Sequence, residues 1–418
     1  MHQALYLFSF FTLATTLIPP HLDEFYKPPK NYNSTKLGEI LKIRPPPGPI
    51  RSYFAPIDAI SWQILVRSEN SDGEPICITM TLLEPANNPD TTKILSYQPF
   101  ENSAMIDCSP SFALLSGAFD TFETQCDLTF ISMALTQGWV VIIPDYEGPN
   151  SVFPVAKDTA FAVLNCMRAA KTFFDEEDIK FGMMGYSGGA FTSAWASIYQ
   201  PTYAPELNLV GAALGGLIPN ITALIENVDG GPYAGLIVNI LNGLSNEYPQ
   251  FKNAIHKYGP TLKNYCLFSA AIHYFGTNFN EHIYKNFIND KVMQRYFKRN
   301  DLLGGKFMPE IPIFIFHSKI NEMSPIDEVH KLITQWCENG VKLEFAEDLS
   351  YNHMVEAFSG IPASIIWLSN RFNDEAISYN GNCHWEKRIS NLLYPGATTF
   401  IKEYLKLSAK QYLSKLPL

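Results

Sequence analysis

Gly185-Tyr186-Ser187-Gly188-Gly189 sets a serine between glycines at the spacing glycine, any residue, serine, any residue, glycine. The short apolar run Lys180-Phe181-Gly182-Met183-Met184 precedes it, and Ala190-Phe191-Thr192-Ser193-Ala194-Trp195 opens a helical pattern after it. On a strand-to-helix turn this arrangement strains the serine backbone and presents the hydroxyl at the sheet edge, ready for nucleophilic attack. The glycines are needed because a side chain at either would meet the strand or helix across the turn. The bland alternative is a glycine-rich turn whose serine only caps the helix.

A serine hydroxyl is a poor nucleophile at neutral pH and needs a base. Where a serine turn opens a parallel sheet, the acid and then the base follow it, each in a loop after a late strand. His353, in Tyr351-Asn352-His353-Met354, follows the last expected strand and precedes a helix, so it is the expected base. His317 follows a strand too early and is expected to be a hydrogen-bonded residue at that strand's end. His256, His273, His282 and His330 fall in helical patterns and read as structural. The acid belongs in the loop Ser318-Lys319-Ile320-Asn321-Glu322-Met323-Ser324-Pro325-Ile326-Asp327.

The elements that must position these residues are legible as patterns. Residues 62–67 and 76–82 alternate in polarity around Asn70-Ser71-Asp72-Gly73, which predicts an antiparallel hairpin. Continuous apolar strands follow at 93–97, 139–143, 181–184, 209–214, 313–316 and 341–345, separated by helical stretches such as 155–174. Unbroken apolar strands joined by helices predict an α/β fold with a mostly parallel sheet covered on both faces. The proline-rich stretch 42–51 is expected to be an extended linker. Nearly a hundred residues separate the strands at 209–214 and 313–316, with helical patterns at 235–244, 262–274 and 282–297. A connection of that length is a subdomain, and it enters at the strand ends where ligands bind in open parallel sheets. The expected division is therefore a signal segment (1–20), a first core part (21–216), a helical cap (217–305), a second core part (306–383) and a C-terminal tail (384–418), helical from the face formed by Phe400, Ile401, Tyr404, Leu405, Tyr412 and Leu413. A second, purely structural domain is the alternative for 217–305.

The net charge of −10, without any basic run, argues against nucleic acid and against anionic membranes as obligate partners. Residues 4–14 are apolar but too few to span a bilayer, as in a secretory signal, and Asn33-Ser34-Thr35 and Asn220-Ile221-Thr222 are glycosylation sequons suited to an extracellular protein. Seven cysteines are an odd number, so at least one stays unpaired in an oxidising compartment. Cys77 and Cys166 lie in apolar segments and read as buried thiols, whereas Cys108, Cys266, Cys337 and Cys383 lie in or beside loops. No Cys/His spacing suggests a metal, and no cofactor is expected.

Several strings together resemble the fungal secretory lipase family over most of the chain, from about Tyr53 to Cys383. They are Ser96-Tyr97-Gln98-Pro99-Phe100-Glu101-Asn102-Ser103, Asp107-Cys108-Ser109-Pro110-Ser111, Pro144-Asp145-Tyr146-Glu147-Gly148-Pro149, the serine turn itself, Trp336-Cys337-Glu338-Asn339-Gly340, and Pro362-Ala363 with Trp367-Leu368 and Arg371-Phe372. The resemblance implies an α/β-hydrolase core with a helical lid and hydrolysis of medium- and long-chain acylglycerols without a cofactor. It maps the nucleophile to Ser187, the base to His353, and the oxyanion amides to Gly188 and Asn102. It also implies bridges Cys108–Cys266 and Cys337–Cys383, leaving Cys77, Cys126 and Cys166 outside them.

One departure stands out. The family's aspartate, glutamate, two residues, proline string reads Asn321-Glu322-Met323-Ser324-Pro325 here, so asparagine stands at the acid position. A carboxylate holds the imidazole in the right tautomer and stabilises the imidazolium; an amide carbonyl can do the first only, and an amide NH2 turned to the ring does neither. Glu322, Asp327 and Asp348 are the nearby carboxylates that could substitute. Two expectations follow. One is a secreted, monomeric acylglycerol lipase, weakened at its acid, that meets its ester substrate at a lipid–water interface. The other is a catalytically silent hydrolase-like secreted protein that binds lipid or a surface partner. Peptide hydrolysis has no supporting motif.

Overall fold

The computed structural model describes residues 17–52, 57–118, 122–377 and 379–414. The expected signal segment lies outside the described residues up to residue 16. Ten strands among the described residues form one sheet: β1 (Ile40–Arg44), β2 (Ala59–Glu69), β3 (Pro75–Pro85), β4 (Asp90–Gln98), β5 (Trp139–Pro144), β6 (Lys180–Tyr186), β7 (Asn208–Gly215), β8 (Ile313–Ser318), β9 (Leu343–Asp348) and β10 (Cys383–Arg388). Their spatial order is β1-β2-β3-β5-β4-β6-β7-β8-β9-β10. The first four neighbours pair antiparallel, and every pairing from β5 onward is parallel. The β2–β3 hairpin runs in register from Ala59↔Pro85 to Glu69↔Pro75, and Gly73 supplies the positive φ (81°) its turn needs.

Every residue of β5 and β8 is buried, as continuous apolar strands require when helices cover both faces. The helices are α1 (Pro110–Ala113), α2 (Phe122–Leu135), α3 (Ala156–Phe174), α4 (Gly188–Tyr203), α5 (Ile221–Val228), α6 (Gly235–Glu247), α7 (Pro249–Ile255), α8 (Leu267–His273), α9 (Lys291–Asn300), α10 (Ile326–Glu338), α11 (His353–Phe372) and α12 (Ala397–Ser414). Helices α3, α4 and α10 pack one face of the sheet, through Leu164, Met167, Phe191 and Trp336 among others. Helices α2, α11 and α12 pack the other, through Phe130, Ile361, Trp367 and Tyr404. Helices α5 to α9, between β7 and β8, share a separate apolar cluster that includes Leu224, Ile240, Phe251 and Phe297, and Val152, Phe153 and Val155 of the core join it.

The structure corrects the sequence reading in four places. Lys42, Ile43 and Arg44 are not linker: they belong to β1 and pair with Leu65, Ile64 and Gln63. The proline run does end the strand, since proline offers no ladder donor and forbids continuation. The pattern at 282–297 is not one helix. Asn286 adopts a left-handed conformation (φ 61°), and Asp290 caps a fresh start at α9 by accepting from Val292 and Met293 amides. The pattern at 262–274 forms helix only from Leu267. Finally, the sheet continues past Cys383 as β10, parallel to β9, before α12 begins. On α12, Tyr404 is buried and bonds Ser132 while Leu405 is exposed, so the expected apolar stripe divides between core and solvent.

Two disulfides are present, Cys108–Cys266 and Cys337–Cys383, with Cα separations of 5.5 and 5.8 Å. The first joins the segment after β4 to the base of the helical insertion; the second joins the end of α10 to β10. Cys77 and Cys166 are buried thiols. Asn33 is exposed. Asn220, by contrast, caps α5 through Oδ1 and donates Nδ2, the atom a glycan would occupy, to Glu328 at 2.8 Å.

Candidate active site

Ser187 links β6 to α4 with φ 54° and ψ −119°, a conformation that costs a non-glycine residue about 1–3 kcal/mol. Its amide donates to Gly215 O at 2.8 Å and its carbonyl accepts from Phe191, so both neighbours of the turn hold it. A Cβ on Gly185 would stand 2.3 Å from Gly189 C, and one on Gly189 would stand 1.9 Å from Gln98 O. These contacts give the steric reason for both glycines. Ser187 is only 3% exposed, and its Oγ has no hydrogen-bond partner. Gly188 opens α4, so its amide has no partner within the helix. A Cβ there would fall 1.7 Å from Asn102 Oδ1, which places the two expected oxyanion residues side by side. Asn102 is itself buried with φ 48°.

His353 is the first residue of α11, which Asn352 caps by accepting from Val355. Its carbonyl accepts from Tyr186 Oη at 2.5 Å, and the two rings lie 5.0 Å apart. Its Cε1 would be 2.9 Å from a Cβ on Gly216, the residue after the carbonyl that holds the Ser187 amide. The imidazole therefore stands beside the serine turn. Burial lowers its pKa to about 3, with His317 adding to the effect, so the ring is neutral at physiological pH.

Asn321 lies in the loop after β8 and meets the imidazole: its Nδ2 is 2.8 Å from His353 Nδ1. The amide orientation is fixed from the other side. Asn321 Oδ1 accepts from the amides of Met323 (3.0 Å) and Ser324 (2.8 Å), so the NH2 must face the ring. Two donors cannot face each other, so Nδ1 accepts and the ring proton sits on Nε2. His317 holds this loop by donating Nε2–H to Ser324 O at 3.0 Å; burial lowers its pKa to about 4. None of the other nearby carboxylates takes the acid's place. Glu322 accepts from the His353 backbone amide at 2.7 Å rather than from the ring. Asp348 accepts from Ser350 and Tyr351 on one oxygen and from Asn391 on the other. Asp327 is exposed on α10.

Two features escaped the sequence reading. Glu101 and Glu147 are buried together behind Asn102, and Glu147 accepts from the Ser103 amide at 3.2 Å. Burial pushes both carboxyls well above the ordinary range, and the Glu147 charge pushes Glu101 further. A proton shared between them supplies the donor that their remaining oxygens lack. The signal was available, since neither glutamate has a cation near it in sequence. The second feature is Asn239 of α6, which donates to Asn102 O at 2.9 Å; an amide inside an apolar helix was its signal. Among the described residues no group of three His, Cys, Asp or Glu side chains could hold a metal ion.

Residues 115–380 match the family model described as secretory lipase. The chain is also 47% identical to Lipase 7 of Candida albicans, over 96% of each chain. It belongs to the secretory lipase family. Lipase 5 of Candida albicans is 40% identical over 93% of this chain and 88% of its own. Among solved structures, Candida antarctica lipase A superposes with a TM-score of 0.82 at 25% identity, covering 93% of this chain and 94% of that one. A rice cell wall degrading esterase from Xanthomonas oryzae shares the fold alone, with a TM-score of 0.60 at 14% identity and coverage of 82% and 100%. The mostly parallel ten-stranded sheet of this secretory lipase family member is thus of the α/β-hydrolase type.

Proposed function

We propose that this chain is a secreted serine ester hydrolase that acts on acylglycerols through an acyl-enzyme, and that its chemical step is slow because Asn321 holds His353 in the wrong tautomer. Ser187 Oγ attacks the ester carbonyl and its proton passes to His353 Nε2. The tetrahedral oxyanion lies against the amides of Gly188 and Asn102. His353 then gives the proton to the leaving alcohol, and water repeats the sequence on the acyl-enzyme.

The orientation of the Asn321 amide carries the reading. For Nε2 to accept a proton, Nδ1 must hold the ring hydrogen, and Asn321 must turn its oxygen to it. That rotation breaks both bonds from the Met323 and Ser324 amides and leaves two buried donors facing an NH2. At roughly 1–3 kcal/mol for each unsatisfied group, the competent form costs about 2–6 kcal/mol, or roughly one and a half to four and a half decades in rate. The strained serine and its steric fit support an enzyme rather than an inert scaffold, because nothing in packing alone calls for that backbone.

The same amide orientation favours one second reading, a silent protein that binds lipid. Phe268, Ile272 and Phe275 are exposed at i, i+4 and i+7 on and just after α8, an apolar stripe on the cap that fits a lipid surface under either reading. The two separate on one measurement: labelling of the secreted protein by a serine-reactive phosphonate, with p-nitrophenyl ester turnover alongside. Labelling at Ser187 with slow turnover is expected. An unlabelled, inactive protein that still binds emulsions would establish the silent form.

A further inference from the structure

The segment bearing the second oxyanion amide is fastened to the cap as much as to the core. Asn239 Nδ2 of α6 donates to Asn102 O at 2.9 Å, Ser103 Oγ donates to Tyr265 O at 3.4 Å, and Asn264 Nδ2 donates to Ala104 O at 2.9 Å. Asn264 is held in turn by Asn242, one turn of α6 beyond Asn239, and Cys108 is bonded to Cys266. From the core side Glu147 accepts from the Ser103 amide.

Asn239 is the unusual member of this set. It is fully buried among Leu236, Ile237, Val238, Ile240 and Leu241, and its Oδ1 has no hydrogen-bond partner. A half-satisfied buried amide is less stable than a leucine of similar volume in an apolar helix, so the stability of the cap does not explain it. Its one hydrogen bond grips the carbonyl of Asn102, a residue in a left-handed backbone conformation that non-glycine residues keep only when their surroundings hold them.

We infer that Asn239 is a positioning residue: from the cap, it fixes the backbone of Asn102 so that its amide faces the reacting carbonyl. The inference rests on the role proposed above for Asn102. It makes the cap a structural part of the oxyanion site. Any opening motion must leave α6 and residues 262–266 in place, or else take the oxyanion geometry with it.

The test compares wild type, Asn239→Leu, Asn239→Ala and Ser187→Ala in p-nitrophenyl butyrate hydrolysis and thermal unfolding. Loss of the anchor should lower kcat by about tenfold or more with KM little changed, as a small misplacement of a catalytic group does. Asn239→Leu should do so with Tm little changed, since the apolar gain offsets the unpaired Asn102 carbonyl. A residue with a merely structural role would lower Tm and activity together. Asn239→Ala removes the donor without adding a second hydrogen-bonding group, so it tests the hydrogen bond even if the leucine variant fails to fold. Full kcat in a folded Asn239→Leu or Asn239→Ala protein would overturn the inference. Wild-type rates in Ser187→Ala would instead overturn the serine mechanism itself, and the inference with it.

Discussion

The serine turn and the acid loop flank one imidazole, and they differ in what they satisfy. The serine turn meets every steric demand: glycines where a Cβ would collide, a strained serine, an unpaired amide at Gly188. The acid loop meets its geometric demands too, with a side chain 2.8 Å from His353 Nδ1 and two backbone donors behind it. It lacks the charge, and it turns an NH2 rather than an oxygen to the ring. Backbone shape and electrostatics are thus separate requirements of one site, and a fold can fulfil the first completely while the second fails.

The largest effect should come from testing both regions at once. Ser187→Ala on an Asn321→Asp background should lower kcat by roughly six decades, whereas on the wild type it should cost only about two to four, because members of a triad act as a unit. Equal losses on both backgrounds, in single-turnover ester hydrolysis, would mean that the acid loop does not serve the serine. Asn321→Asp alone should raise kcat by roughly two to four decades with KM nearly unchanged. One carboxylate oxygen would accept from Met323 and Ser324 and the other from Nδ1–H. The new negative charge should also raise the His353 pKa from about 3, moving the acid limb of the pH–rate profile upward.

A smaller effect contrasts the two regions in stability. Just after β5, burial raises Asp145 to about 7; elsewhere it raises Asp301 to about 7 and Glu247 to about 8. These carboxyls bind protons more tightly folded than unfolded, so their contribution is full at low pH and is lost as pH rises through 7 to 8. At the acid loop, His317 (about 4) and His353 (about 3) do the reverse: their contribution is full above the unfolded value near 6.5 and is lost as pH falls toward 3. Between pH 6.5 and 8 these carboxyls lose their protons in the folded state while His317 and His353 hold none, so Tm should fall across that interval, and Asp145→Asn should flatten the slope. A Tm that rises there would contradict the assignment. The smallest effect on rate belongs to Asp348→Asn, which should change kcat little, because both Asp348 oxygens serve backbone amides away from the ring. A collapse of activity in that variant would move the acid from position 321 to 348.

The serine turn was legible in sequence because its demands are steric and local: glycine spacing and flanking periodicity state them directly. The parallel strands were legible because burial on both faces leaves unbroken apolar runs. The identity of the residue at 321 was equally plain, but not its consequence, since only the Met323 and Ser324 amides decide which end of the amide meets the ring. β10 was missed because Cys383-His384-Trp385-Glu386-Lys387-Arg388 is a polar edge strand without an apolar run. Asn239 was passed over because the apolar pattern around it described the helix, although an amide within that pattern was itself the signal.

The two amides that grip Asn321 Oδ1 also bear on heredity. They would serve an aspartate oxygen just as well, and every asparagine codon becomes an aspartate codon by one base change. The loop is in effect a socket already cut for the missing charge. Under the function proposed above, a lineage carrying it would move between a slow and a fast form by a single point mutation, with no intermediate that has to rebuild the backbone.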